Sequence, residues 1–250
     1  AKTYRTRRGE VHALSNVSLH IEKGEFIILC GPSGSGKTTL LMTIAAMLRP
    51  TSGSVCIDES DLYGISIRER ARFRARNIGF VFQMFHLVPY LNILENVLLA
   101  GRVFGQNPRA DVAGDLLKQL GLAERAFHKP AELSAGEKQR TAVARALFNR
   151  PGIILVDEPT GNLDPDNADS VLGHLSEFHR SGGTVIVATH GQTAERFADR
   201  VVYLADGKYR KVRLNRNKLP ARNPCVVGAA VCLKGSFIDV SHATRVDETR

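Results

Sequence analysis

The sequence predicts an α/β fold in which a parallel sheet is covered by helices. Three observations carry that expectation. Residues 25–30 (EFIILC), 153–156 (IILV) and 184–188 (TVIVA) are short, unbroken apolar runs, the pattern of strands buried on both faces. Helical periods lie between them, over 37–48, 110–120, 135–148 and 168–179. The first run also delivers a glycine-rich loop directly into a helix.

The remaining elements follow from local signals. Residues 14–21 alternate apolar and polar, as a half-buried strand does, and Lys23-Gly24 turns the chain into the first apolar run. Asp206-Gly207, between 201–204 and 209–214, has the composition of a two-residue hairpin turn. Beyond it the periodicity stops. Residues 215–250 carry Pro220, Pro224 and scattered charge, and are expected to be a poorly ordered basic tail after a domain spanning 1–214.

A length of 250 residues suits one large domain or two small ones, and 43% hydrophobic with 24% charged residues is ordinary for a globular chain. No run approaches the ~20 apolar residues of a membrane-spanning helix. Lys2, Tyr4, Arg5, Arg7 and Arg8 are not followed by an apolar segment, so no secretory signal is read and a cytoplasmic location is expected. Cys30, Cys56, Cys225 and Cys232 lack metal-ligand spacing and read as reduced thiols; the eight histidines form no HxxxH pair. The net charge of +9 invites a nucleic-acid reading until it is located. Residues 208–250 hold +7 of it and residues 1–207 only +2, so no nucleic-acid partner is expected for the folded part.

The chemistry concentrates at the ends of the apolar runs. Gly31, Pro32, Ser33, Gly34, Ser35, Gly36, Lys37 and Thr38 fit G-x-x-x-x-G-K-[ST] between a strand and a helix, the context that confirms a phosphate-binding loop. Glycines let the backbone wrap a phosphate and the helix start adds favourable dipole charge. Lys37 is placed to reach the β- and γ-phosphates and Thr38 to offer its hydroxyl to Mg2+. The second run ends in Asp157-Glu158, at the sheet edge where open α/β sheets bind ligands. Asp157 is expected to hold Mg2+ through its water shell, and Glu158 to polarise the water that attacks the γ-phosphate. The third run delivers His190 to the same edge. A lone histidine is more often structural; beside this loop it becomes a candidate γ-phosphate sensor.

Ser134, Ala135, Gly136 and Glu137 read first as a capping box opening a helix. That helix start can also receive a phosphate. One chain then offers two anion-binding helix starts for one nucleotide, and a dimer in which each chain completes the other's site resolves the surplus.

Together these residues resemble the ABC ATPase family. GPSGSGKTT, ending at Thr39, is similar to its Walker A, Gln83 in FVFQ to its Q-loop, LSAGEKQR (133–140) to its signature, IILVDEP (153–159) to its Walker B, GNLD (161–164) to its D-loop, and His190 to its switch histidine. Tyr4 resembles the aromatic that stacks on adenine. The resemblance implies a RecA-like parallel-sheet core, an antiparallel β subdomain, and an α-helical signature subdomain over about 84–150. It also implies ATP hydrolysis with Mg2+ in a head-to-tail homodimer. Glu158, His190, Lys37 and Gln83 would then be catalytic, Thr38, Gln83 and Asp157 would face the metal, and Ser134–Glu137 and Asp164 would reach the partner's nucleotide. Residues 80–97 and 157–164 are most similar to the lipoprotein-release, macrolide-export and cell-division group. That implies an integral membrane permease of the FtsX/MacB type as partner, with this subunit peripheral on the cytoplasmic face of the inner membrane. A regulatory cell-division ATPase that transports nothing is the alternative. The chain departs from the family at Ala135 (usually Gly), Glu137 (usually Gln) and Gly191 (usually Asp). It opens at Ala1, just before Tyr4, so the family's usual first strand is expected either to be missing or to lie before Ala1.

Overall fold

In the computed structural model the described residues are 1–104, 109–161, 163–191, 193–214 and 231–233. At the centre is a six-stranded sheet. Its parallel strands are β3 (Phe26–Cys30), β6 (Ile78–Val81), β7 (Ile153–Asp157), β8 (Thr184–Thr189) and β9 (Arg200–Ala205), and β10 (Lys208–Leu214) closes one edge antiparallel. Their order is β10-β9-β3-β8-β7-β6. The three apolar runs are β3, β7 and β8, adjacent strands in the sheet interior, as their pattern predicts. Alternate residues serve opposite cores: Phe26, Ile28, Ile154, Val156, Val185 and Val187 face one, and Ile27, Leu29, Ile153, Leu155, Ile186 and Ala188 the other. Both faces being dry explains why these strands read as unbroken apolar stretches.

On one face α1 (Lys37–Ile44) packs through Leu40, Leu41 and Ile44. On the other lie α3 (Ile93–Leu98), α4 (Ala110–Gln119), α5 (Ala135–Leu147) and α6 (Pro165–Arg180). Asp206 and Gly207, at φ 52° and 68°, make the expected left-handed hairpin turn between β9 and β10.

Some expectations change. The strand read over 14–21 is instead β2 (Gly9–Leu14), paired antiparallel with β1 (Lys2–Thr6), which no apolar pattern announces. It stops because Ser15 donates to the Gly207 carbonyl (2.7 Å) and Asn16 turns left-handed at φ 51°; Leu19 and Ile21 still bury as anchors. Helix α1 ends at Ile44 rather than Leu48, since Ala46 turns left-handed (φ 55°) and the Met47 and Leu48 amides fold back onto the Met42 carbonyl. Helix α6 begins three residues earlier than its apolar period, because Asp164 caps it and Pro165 occupies its first turn.

β4 (Val55–Ile57), β5 (Ser60–Asp61) and α2 (Ile67–Asn77) carry too little apolar periodicity to announce themselves; α2 buries no residue fully. Within the tail, β11 (Val231–Leu233) pairs parallel with β4, while 215–230 and 234–250 lie outside the described residues. No helix among the described residues is long and apolar enough to cross a membrane.

Candidate nucleotide site

Parallel register brings the strand ends together. Cys30 pairs with Thr189 and Asp157 with Ala188, so the loops after β3, β7 and β8 leave the sheet along one edge. After β3 the chain passes so close to β9 that a Cβ on Gly31 would stand 2.2 Å from the Leu204 carbonyl oxygen. At Gly36 (φ 102°) a Cβ would meet the Ala13 carbonyl at 2.4 Å. Only glycine fits both places. Gly36 caps α1 with no side-chain hydrogen bond, so the first amides of α1 keep their donor capacity for an anion.

Lys37, 6% exposed, opens α1 and bends back over the loop, donating to the carbonyls of Gly31 (2.7 Å) and Pro32 (3.2 Å). Its ammonium also lies 3.7 Å from Glu158 Oε1. The hydroxyl of Thr38 donates to Asp157 Oδ1 (3.1 Å). Burial raises the Asp157 carboxyl above its ordinary range, against the opposing pull of the Thr38 hydrogen bond. Glu158 is left-handed at φ 46°, and its amide still donates to Ala188 (2.8 Å). The ladder thus holds the residue one step past the strand while the turn redirects its carboxylate. Its other oxygen, Oε2, lies 3.0 Å from His190 Nδ1.

Lys37, Thr38, Glu158 and His190 border a cleft of about 250 Å3, lined also by Ala13, Ser33, Gly34, Gly36, Thr39 and Gln83, and Asp157 is tied to it through its hydrogen bond with Thr38. A hydroxyl, a carboxylate and an amide oxygen are the hard donors Mg2+ takes, and it needs only one or two carboxylates when a phosphate supplies the rest. Thr38, Asp157 and Gln83 therefore fit that ion.

Of the expected site residues, Tyr4, Gly31, Pro32, Ser35, Asp157 and the trans residues do not line this cleft. Tyr4 stands partly exposed on β1 with the Lys2 ammonium 5.1 Å above its ring. Ser134 caps α5, accepting from the Glu137 amide (3.2 Å), while Glu137 Oε2 accepts from the Ser134 amide (2.8 Å). Asp164 caps α6. Asn162 of the same loop lies outside the described residues.

Several participants gave no sequence signal. Arg125 donates to Glu137 Oε1 at 3.0 Å, so the glutamate that departs from the family carries its own counter-charge. The carboxyl is held below its usual range, chiefly by the Ser134 amide. Next to His190, Gly191 donates from its amide to the Thr189 hydroxyl (3.1 Å), and Glu158 is the side chain that braces the imidazole. Arg145 of α5 donates 2.6 Å hydrogen bonds to the carbonyls of Phe85 and His86, both left-handed at φ 58° and 47°. It thereby pins the segment that follows Gln83.

A phosphate-binding loop opening a helix at the carboxyl edge of a parallel sheet, beside paired acidic residues, defines a P-loop nucleotide-binding cassette. The family model described as ABC transporter matches residues 14–161. The chain belongs to the ABC transporter family and is an ATP-binding subunit of that type. It is 42% identical over 210 residues to the lipoprotein-releasing system ATP-binding protein LolD of Hyphomonas neptunium, covering 83% of this chain and 92% of that one. To the ABC transporter ATP-binding protein MJ0796 of Methanocaldococcus jannaschii it is 44% identical over 215 residues, covering 83% and 91%. Two solved structures of MJ0796, a dimeric cassette and a dimeric post-hydrolysis state bound to ADP and Pi, superpose with TM-score 0.80 at 40% identity, covering 85% of this chain and 95% of theirs.

Proposed function

We propose that this chain hydrolyses ATP in a head-to-tail homodimer and so drives an integral membrane permease of the FtsX/MacB type, on the cytoplasmic face of the membrane. The observation that carries the reading is the separation within one chain. Lys37, Thr38, Glu158 and His190 converge on one cleft, while the capped start of α5, with Ser134 and Gly136, stands outside it. A second copy turned head to tail supplies that helix start to the phosphates, and the dimeric assembly of MJ0796 supports the arrangement.

In this reading the loop amides and Lys37 hold the β- and γ-phosphates, and Thr38, Asp157 and Gln83 hold Mg2+. Bound there, the ion neutralises charge on the phosphates. Glu158 orients and polarises the attacking water, and His190 braces that carboxylate and faces the γ-phosphate. Tyr4 stacks on adenine, and Ser134, Ala135, Gly136, Glu137 and Asp164 close over the partner's nucleotide. The names of the LolD relatives favour a lipoprotein-releasing or related extracytoplasmic task.

Glu158→Gln tests the chemical step. The variant should bind ATP, cease turnover and accumulate as a dimer on size exclusion, whereas Lys37→Ala should lose ATP binding. Wild-type turnover in Glu158→Gln would remove the proposed role of that carboxylate. Co-purification of an integral membrane protein with a large extracytoplasmic domain is the corresponding test of the partner.

A further inference from the structure

The Asn167 side chain joins α5 to the cap of α6 within one chain. Asn167 donates from its backbone amide to Asp164 Oδ1 (3.0 Å) and from its side-chain amide to Asp164 Oδ2 (2.7 Å). Its side-chain oxygen accepts from Arg140 of α5 at 2.8 Å. Gly136 lies against the same amide: a Cβ there would come within 2.2 Å of Asn167 Oδ1. Every polar atom of the Asn167 side chain is thus committed to one of the two elements, and close packing at Gly136 fixes their separation.

We propose that Asn167 is a positioning residue that locks the Asp164 loop to the start of α5, so that the two groups offered to the partner's nucleotide move as one body. The chemistry favours asparagine. Asp164 needs donors, Arg140 needs an acceptor, and one amide supplies both without charge. A carboxylate at this position would face Asp164 with like charge, and an alanine would leave Arg140 and Asp164 without that bridge. The hydrogen bonds to Asn167 also hold the Asp164 carboxyl below its ordinary range, in keeping with a carboxylate fixed in its charged form.

The proposal rests on the composite sites of the preceding section, and the test separates the two. Asn167→Ala should bind ATP with wild-type affinity yet turn over roughly ten-fold more slowly at saturating ATP, the loss expected from one charge-assisted hydrogen bond. The decisive readout is subunit mixing. As a control, Lys37→Ala mixed with Ser134→Ala should recover about a quarter of the wild-type rate, since half of the dimers are mixed and each holds one complete site. Failure of that control overturns the composite-site reading itself.

With the control working, Asn167→Ala mixed with Lys37→Ala should recover to the same level, because the Lys37→Ala chain supplies intact trans groups to the Asn167→Ala chain's cleft. Asn167→Ala mixed with Ser134→Ala should not recover, since every site then receives a defective trans group. Arg140→Met, which cuts the same link from the α5 side, should sort with Asn167→Ala. Recovery with Ser134→Ala, no recovery with Lys37→Ala, or loss of ATP binding by both variants overturns the proposal.

Discussion

Nδ1 of His190 lies 3.0 Å from Oε2 of Glu158, and the ammonium of Lys37 lies 3.7 Å from the other oxygen of that carboxylate. The glutamate is held from two sides by groups that have their own expected tasks on the phosphates. His190→Ala should therefore leave ATP binding intact and slow turnover by about 10²-fold, the scale of losing one positioned group that stabilises the transition state. Nucleotide titration alongside steady-state kinetics checks this. An unchanged turnover number would show that the contact does not matter to the chemistry.

Arg125 and Glu137 form the next test. With Arg125 in place the Glu137 charge is balanced; without it, a bare carboxylate stands at a helix start proposed to meet a phosphate. Arg125→Ala should weaken ATP-driven dimer formation several-fold, within the ~1 kcal/mol of a part-exposed ion pair. Glu137→Gln in the same background should restore it. Additive losses in the double variant would mean that charge balance is not what Arg125 supplies.

Arg145→Ala should destabilise the protein by about 2 kcal/mol, because a half-buried guanidinium that satisfies two carbonyls of a left-handed pair is lost. Arg145→Lys should recover only part of this, since an ammonium lacks the planar fork. Urea midpoints measure both. Equal midpoints for all three proteins would show that the segment after Gln83 holds its shape without Arg145.

A pH dependence follows from His20. Burial, with Arg200 beside it, lowers its pKa from 6.5 to about 4. As pH falls the unfolded chain takes up this proton first, so the stability linked to neutral His20 is full above pH 6.5 and is lost between 6.5 and about 4. The denaturation midpoint of His20→Gln should fall less steeply across that window than the wild type's. Parallel slopes would assign the acid sensitivity to other groups.

How much of this the sequence shows depends on which force shapes each piece. The strands carrying Ile28, Leu155 and Ile186 are legible because both their faces are dry, and the loop from Gly31 to Thr38 is legible because backbone wrapping demands glycine at fixed places. Helix α2 buries nothing fully, so no period marks it; its only signal is the Ser66–Glu69 capping box, closed at 3.2 Å. The Asn92–Glu95 box does the same for α3. Contacts such as Arg125 with Glu137, Arg145 with Phe85, or Asn167 with Arg140 depend on how helices pack. Nothing in the spacing of those residues reveals them.

The claim that two copies complete each other's sites is tested most directly by the ATPase rate as a function of protein concentration. At saturating ATP and high dilution, where dimers are scarce, the rate should rise more steeply than linearly, approaching the square of the concentration, and become linear once dimers dominate. A rate strictly proportional to concentration throughout, from a protein that remains monomeric with ATP bound, would contradict the account.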